Sequence, residues 1–336
     1  MKKFIKRSLG FILLILMLGI TLNFFLRESK YWGNREYNWK IKQYKKGNYN
    51  AVLFGTSRIY RGINPLMLDS LINQDSIGQG IKSFNLATHA SWFNETFYLY
   101  DQFLNDTSLS AGVKTVFMEY QNIMSINPKK LVDEKIIYYQ NLDHYRFILK
   151  FNFYEVLRQP KKIFTSAYSI NAFSFVSFIN LTNLKRISTK LYEKDPPEHE
   201  SINERGYLGF DETIKSQGTT MAGIRSFTDN IHVYLHQDGH NYNPVYYDKV
   251  MELIEKSKQQ GIKLIFVLPP VRLTDGMMAV YNTLPKENKI ELCNPRKYPV
   301  LYEPENWIDP IHLNKKGSVY LTHYLFQEFK NLQTKI

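Results

Sequence analysis

The alternation of short apolar segments with longer amphipathic ones is the feature that most constrains this chain. Apolar runs typical of buried strands cover residues 51–55, 81–87, 112–119 and 262–268. Apolar residues at helical spacing cover residues 66–72, 92–104, 246–260 and 317–329. Strands that alternate with helices predict an α/β domain, in which a parallel sheet has helices on both faces. In such a sheet, active residues collect at the carboxyl ends of the strands.

The chain is long enough for one large domain or two small ones. It has 336 residues, of which 44% are hydrophobic, so a sizeable core is available. Residues 51–336 are predicted to form the α/β domain. Residues from about 123 to 243 break the alternation, and we interpret them as a helical insertion that lies over the strand ends.

Residues 1–30 predict a membrane anchor. Four cations within residues 1–7 precede an uncharged apolar run over residues 8–26, which is close to the minimum length of a transmembrane helix. This charge pattern predicts a single-pass protein of the cell membrane, with a cytoplasmic N-terminus and an extracytoplasmic main domain, periplasmic or at the cell surface. A cleaved signal peptide is the alternative, although residues 21–26 lack the small residues of a cleavage site. Residues 31–50 are interpreted as a juxtamembrane stem, whose aromatic rings lie either at the lipid headgroups or against the domain.

The net charge of +12 is compatible with an anionic partner, but lysines that lie singly on solvated helix faces explain it more simply. An anionic membrane or envelope polymer fits better than nucleic acid, because the cations are scattered and the sequence has no nucleic-acid motif. The single cysteine, Cys293, cannot form an internal disulfide, and the sequence has no Cys/His cluster at zinc-like spacing. We therefore predict neither a metal nor another cofactor.

Two short segments at opposite ends of the chain carry the residues of a nucleophilic serine site. Residues 52–58 (VLFGTSR) predict a buried strand and a turn with Ser57, and residues 307–314 (WIDPIHLN) place Asp309 and His312 before a helix. A serine hydroxyl is a weak nucleophile unless a base takes its proton and an acid orients that base. These residue types predict Ser57 as nucleophile, His312 as base and Asp309 as orienting acid. Each segment alone also has a structural interpretation, because serine is common in turns and Asp-Pro at helix starts.

These segments resemble sequence blocks of the SGNH, or GDSL-type, hydrolase superfamily. Residues 54–58 match the first block, residues 84–87 lie where the second places a glycine-containing turn, and residues 309–312 match the last, D-x-x-H. The resemblance covers about residues 51–120 and 246–329. Together with the anchor, the pattern is similar to bacterial cell-envelope members, including proteins related to polysaccharide O-acetylation and to D-alanyl transfer onto teichoic acids. It implies a three-layer, flavodoxin-like fold and a serine esterase or O-acyltransferase that acts on an acylated envelope glycan.

The resemblance also implies an oxyanion hole, where this sequence departs from the family. The candidate donors are the backbone N–H groups of Ser57 and Ala87 and the side chains of Asn85 and Asn122. Thr56 stands where the family has Asp, and Ala87 where a glycine is expected. The third block, Gly-x-Asn-Asp, is missing after the third predicted strand.

Arg58 and Glu119 are the candidate substrate-binding residues. Arg58 follows the serine and suits an anionic substrate group, or it makes a surface salt bridge. His89 is interpreted as a packing or rim residue. Two alternatives to an enzyme stay open: a catalytically silent accessory protein that binds polysaccharide or a membrane-bound O-acyltransferase, and a structural domain with a decayed site.

Overall fold

The structure is a computed structural model that describes residues 2–26, 34–75, 80–91, 93–121, 142–164, 167, 205–210, 217–229, 242–271, 273 and 275–334. The chain divides into two compact units. One comprises residues 1–38 and 124–198, and the other comprises residues 39–123 and 199–336. We call the second one the α/β unit, because it contains the sheet.

The bounds of the regular elements follow the chain. The helices are α1 (Lys2–Leu26), α2 (Arg35–Tyr44), α3 (Ser57–Gly62), α4 (Pro65–Gln74), α5 (Phe93–Asn105), α6 (Thr107–Ser110), α7 (Leu142–Arg158), α8 (Gln217–Thr228), α9 (Pro244–Gln259), α10 (Asp275–Thr283) and α11 (Lys315–Thr334). The strands are β1 (Ala51–Phe54), β2 (Ser83–Asn85), β3 (Thr115–Glu119), β4 (Lys263–Leu268), β5 (Lys289–Glu291), β6 (Trp307–Asp309) and β7 (His312–Leu313). Short 3₁₀ helices lie at Pro160–Lys162, Lys286–Asn288, Pro299–Tyr302 and Pro304–Asn306.

Five parallel strands form the sheet of the α/β unit, in the order β2-β1-β3-β4-β5. The strand order reverses between β1 and β3, because β2 lies on one side of β1 and the later strands lie on the other. Ligands of such sheets bind outside the carboxyl ends of the strands at this switch point. Ser57 follows β1 directly, and Glu119 is the last residue of β3.

Helices cover both faces of this sheet. On one face Leu53, Phe117 and Ile265 pack in one cluster with apolar residues of α3, α4 and α11. On the other face Phe54 packs edge-on against Tyr100 and Phe103 of α5, with ring centroids 5.2 and 5.4 Å apart. Neighbouring residues of one strand therefore bury opposite faces, as the pleat requires. The predicted α/β class and parallel sheet are confirmed, with helices on both sides in three layers.

The short elements β5, β6, β7 and α3 were not predicted. The fifth strand, β5, and the antiparallel pair β6 and β7 are only two or three residues long, which is too short for an apolar run to identify them. Helix α3 has six residues and ends at Gly62, so it lacks a recognisable amphipathic period. It begins at Ser57, which the sequence assigned to a turn.

Helix α1 is continuous over 25 residues and contains the whole of the apolar run at residues 8–26. Among its exposed side chains are Phe11, Leu13 and Leu14. In the described parts of the chain, no helix has the combined length and hydropathy required to cross a membrane. The membrane-spanning role of α1 stays a prediction. In the predicted stem, Tyr44 packs on the domain, because its ring contacts Phe84 and Phe103 edge-on.

Candidate active site

Ser57, His312 and Asp309 form one continuous hydrogen-bonded chain, although 255 positions separate the serine from the histidine. The Ser57 Oγ lies 2.8 Å from His312 Nε2, and His312 Nδ1 lies 2.8 Å from Asp309 Oδ2. A carboxylate only accepts hydrogen bonds, so Nδ1 carries the imidazole proton and Nε2 presents its lone pair to the serine hydroxyl. The geometry is that of a nucleophile, a base and an orienting acid.

The start of helix α3 presents the serine. Thr56 is the N-cap, and its side chain accepts a hydrogen bond from the Arg58 N–H at 3.2 Å. Ser57 occupies the first helical position, where a backbone N–H has no partner within the helix. No described residue accepts a hydrogen bond from the Ser57 N–H. This N–H is therefore available to the carbonyl oxygen of a group that Ser57 attacks.

The acid and the base are held by one tight turn between β6 and β7. Asp309 Oδ1 accepts hydrogen bonds from the backbone N–H groups of Ile311 and His312, both at 2.9 Å. Its other oxygen accepts from the imidazole of His312. A separation of three residues brings the carboxylate to both the backbone and the side chain of the histidine. Helix α8 approaches this turn closely at Gly223, where a Cβ atom would lie 2.7 Å from Pro310 Cβ.

His312 is kept in its neutral form by its surroundings. Burial is the main cause that lowers the pKa of this imidazole, and the cations Arg58 and Arg61 lower it further, while Asp309 opposes the shift. The Phe210 ring packs against the imidazole, with ring centroids 5.4 Å apart. A base with a pKa below its ordinary value of 6.5 is unprotonated at neutral pH, which general-base catalysis needs.

Glu119 and Arg58 hold the nucleophile turn in place. Glu119 Oε1 accepts from Nε and Nη2 of Arg58, both at 2.7 Å, and Oε2 accepts from the Thr56 N–H at 2.6 Å. The Glu119 carboxylate is fully buried, and the Arg58 side chain is 22% exposed. Both predicted substrate-binding residues are therefore engaged with each other. Gly55 permits this contact, because a Cβ there would lie 2.7 Å from Glu119 Cβ.

Two of the predicted oxyanion donors are engaged elsewhere. The side-chain amide of Asn85 donates to the carbonyl groups of Ile59 at 3.0 Å and Ile63 at 3.3 Å, near the C-terminus of α3. Its Oδ1 accepts the Ala87 N–H at 3.1 Å. The structure thus gives Asn85 and Ala87 hydrogen bonds within the fold, and their role as oxyanion donors stays a prediction. Asn122 lies outside the described residues.

A fully buried lysine supports the same loop. Lys40 donates to the Ala87 carbonyl at 2.5 Å, and its Nζ lies 3.5 Å from the centroid of the Tyr60 ring. Its position in the predicted stem gave no sequence signal for a role in the core. The finding places the C-terminal half of α2 in the core of the α/β unit.

A segment from the predicted insertion forms one wall of the site. The carbonyl of Arg205 accepts the Asn85 N–H at 2.9 Å, beside the end of β2. The carbonyl of Phe210 accepts the Lys315 N–H at 3.0 Å, at the start of α11. Gly206 has φ +75° and lies so close to β2 that a Cβ would be 2.3 Å from the Asn85 carbonyl oxygen. Sequence reasoning missed this segment, whose one signal was the turn residue Gly206.

Arg61 and His89 are further residues beside the site. The Nε of Arg61 donates to His89 Nε2 at 2.9 Å, and its guanidinium carbon lies 3.7 Å from the centroid of the Phe210 ring. Helical spacing would have identified Arg61, because it follows Ser57 by four residues. That signal depended on the assignment of α3 as a helix. The predicted rim position of His89 stays a prediction, and the structure adds its hydrogen bond with Arg61.

The chain was compared with known proteins. A scan against protein-family models finds no match, and a search of curated proteins finds none either. The assignment of the candidate site therefore depends on the geometry of its residues.

Proposed function

We propose that this chain is a serine esterase or O-acyltransferase of SGNH type that acts on an acylated glycan or polymer of the cell envelope. One observation carries the catalytic part of the proposal, the continuous chain from Ser57 Oγ through both imidazole nitrogens of His312 to Asp309. The substrate class and the cell-envelope setting depend on the sequence resemblance alone.

The proposed reaction begins with attack of the Ser57 Oγ on an ester carbonyl carbon. Nε2 of His312 takes the serine proton as the new C–O bond forms, and Asp309 stabilises the resulting imidazolium. The imidazolium then returns the proton to the departing alcohol oxygen, and the acyl group remains on Ser57. Water or a sugar hydroxyl attacks this acyl-serine in the second half, so hydrolysis and transfer share one set of residues.

The Ser57 N–H is the donor that best suits the developing oxyanion. Removal of one such donor typically costs about 3–4 kcal/mol of barrier. A second donor would have to come from outside the Asn85 and Ala87 pair, because these groups are engaged with each other and with α3. This observation favours a second candidate function, a catalytically silent accessory protein that binds polysaccharide or a membrane-bound O-acyltransferase.

A serine-directed probe separates the two candidates. The full chain is treated with a fluorophosphonate, and para-nitrophenyl acetate hydrolysis is measured in parallel. The enzyme requires labelling at Ser57, with loss of both labelling and hydrolysis in Ser57→Ala and at least 10³-fold loss of hydrolysis in His312→Ala. Hydrolysis that survives both changes, or a Ser57 that no probe labels, would leave the accessory role as the better candidate.

We also propose that α1 anchors the chain in the cell membrane with the α/β unit outside. The support is the order of charge and hydropathy, four cations and then an uncharged apolar run over residues 8–26. Carbonate extraction of membranes from cells that express the full chain should leave the protein in the pellet. External protease should then digest the α/β unit in spheroplasts, and a protected or carbonate-soluble protein would contradict this topology.

A further inference from the structure

Two arginines accompany the serine on helix α3, and the structure describes contacts of both. Arg58 donates through two nitrogens to the buried Glu119, so a carboxylate compensates its charge. Arg61 contacts His89 Nε2 through both Nε and Nη2, and its guanidinium rests on the Phe210 ring. The contact with Glu119 binds Arg58 into the fold, and the contacts with His89 and Phe210 hold Arg61 beside the site.

The helix places Arg61 beside the nucleophile. Residues four positions apart lie on the same face of an α-helix, so Ser57 and Arg61 share one face of α3. The Arg61 side chain is partly exposed, and the hydrogen bond and the ring contact restrain its guanidinium. The guanidinium is a planar fork of five N–H donors that suits a carboxylate or a phosphate. A restrained fork loses less conformational entropy on binding than a free side chain.

The position of Phe210 indicates which part of an ester substrate would lie near Arg61. Phe210 contacts the Arg61 guanidinium on one side and the imidazole of His312 on another. Arg61 therefore lies on the histidine side of Ser57. His312 delivers the proton to the leaving alcohol, so groups on this side face the alcohol part of the ester. The Ser57 N–H would donate to the carbonyl oxygen of the same ester.

We propose that Arg61, oriented by His89 and Phe210, binds an anionic group, a carboxylate or a phosphate, on the alcohol part of the substrate. The substrate class is thus an acyl ester of an anionic alcohol. This inference depends on the proposed serine chemistry and deepens it. It adds that the alcohol, whether it is the leaving group or the acceptor of the acyl group, carries a negative charge.

A matched pair of esters tests this specificity. Para-acetoxybenzoate and para-acetoxybenzamide carry the same acetyl group and differ in one charge on the alcohol, and the meta isomers vary its distance from the ester. We expect kcat/KM to favour the benzoate over the benzamide by about tenfold or more, since charged hydrogen bonds are the stronger class. Para-acetoxyphenyl phosphate shows whether phosphate replaces carboxylate. The preference should shrink as salt is added.

Four variants assign the preference to Arg61. Arg61→Gln should bring kcat/KM for para-acetoxybenzoate down to about that for para-acetoxybenzamide, with both esters measured above the acid limb of His312. Arg61→Lys keeps the charge but not the fork, so we expect an intermediate ratio. His89→Gln retains an acceptor for Arg61 and should preserve most of the preference. Arg296→Gln, at an exposed arginine in the loop after β5, removes the same charge elsewhere and should change nothing.

The outcomes separate this inference from the proposed function. An unchanged benzoate-to-benzamide ratio in Arg61→Gln, or an equal loss on both esters, overturns the role of Arg61 even if Ser57 is active. If the chain hydrolyses neither ester, the proposed function fails, and para-acetoxybenzoate binding to Ser57→Ala decides the anion site. Binding seen by saturation-transfer NMR that disappears in Ser57→Ala/Arg61→Gln supports the site. Absence of binding, or binding indifferent to Arg61, overturns it.

Discussion

Glu119 accepts a hydrogen bond from the Thr56 N–H at 2.6 Å, which ties the end of one strand to the residue before the nucleophile. The same carboxylate accepts two hydrogen bonds from Arg58, on the other side of Ser57. The serine is thus flanked on both sides by groups that one buried side chain fixes. Restraint of this kind is what keeps a nucleophile within reach of its base.

Glu119→Gln should destabilise the α/β unit and lower its activity. All partners of Glu119 are N–H donors, and a glutamine offers one acceptor oxygen and places an NH₂ group against a donor. Breaking one side of a buried ion pair typically costs about 3–5 kcal/mol, and we expect about 2–4 kcal/mol here because Arg58 keeps some contact with water. Urea unfolding measures the change, and para-nitrophenyl acetate hydrolysis by the folded protein measures the activity.

A double-mutant cycle provides the control for this prediction. Arg58→Met removes the charge that Glu119 compensates, so Arg58→Met/Glu119→Gln should be less unstable than the sum of the single changes. Additive losses of free energy of unfolding would show that the two side chains are not coupled.

Gly55→Ala should disturb the same contact from the backbone side. The added Cβ would lie 2.7 Å from both Glu119 Cβ and Ile59 Cγ1, so the carboxylate or α3 has to move. Overpacking of this kind typically costs about 1–3 kcal/mol. Gly276→Ala, in α10, is the matched control, because its Cβ would meet nothing within 4 Å and alanine favours helix. Equal effects of the two changes on thermal unfolding would contradict the close-contact argument.

The sheet could be predicted from the sequence because its four main strands are runs of buried residues. Val52, Phe84, Val116 and Leu264 pack on a sheet that is covered on both faces, so their strands read as uninterrupted apolar runs. Strand β5 has the sequence KIE, with one buried residue between two partly buried ones. Its pairing with β4 is a tertiary fact that no local pattern contains.

The triad could be predicted because its chemistry limits the residue types, whereas its supports could not. Asp309 and His312 are positioned by a local turn, so their spacing alone carries the geometry. Glu119 reaches Thr56 across 63 positions, and its role depends on β1 and β3 being neighbours. Asn85 has the residue type of an oxyanion donor, yet its amide is directed to the end of α3. Residue type alone does not give the direction in which a side chain donates.

The pH dependence of hydrolysis should reflect the lowered pKa of His312. The base must be neutral, so kcat/KM for a neutral ester rises with pH and reaches its plateau after an acid limb below pH 6.5. Arg58 and Arg61 lower this pKa and Asp309 raises it, so Arg61→Gln should move the limb to higher pH. The free energy of unfolding should change with pH in the same direction. The folded chain binds fewer protons at His312 than the unfolded chain does, so the contribution of His312 to stability is complete above pH 6.5 and is lost as the pH falls. A limb above 6.5 in the unmodified chain would contradict the burial of the imidazole.

Asn85→Ala separates a structural amide from an oxyanion donor. Loss of the amide leaves the buried Ile59 carbonyl and the Ala87 N–H without this partner, and we expect about 2–3 kcal/mol less free energy of unfolding. The kcat per probe-labelled Ser57 in the folded protein should fall less than tenfold, whereas loss of an oxyanion donor typically costs about 10²–10³ in kcat. Asn73→Ala is the matched control, since Asn73 bridges the N–H and carbonyl of Ile81 in an exposed position and should cost less than about 1 kcal/mol. A stable Asn85→Ala protein with a hundredfold lower kcat would show that Asn85 acts as an oxyanion donor.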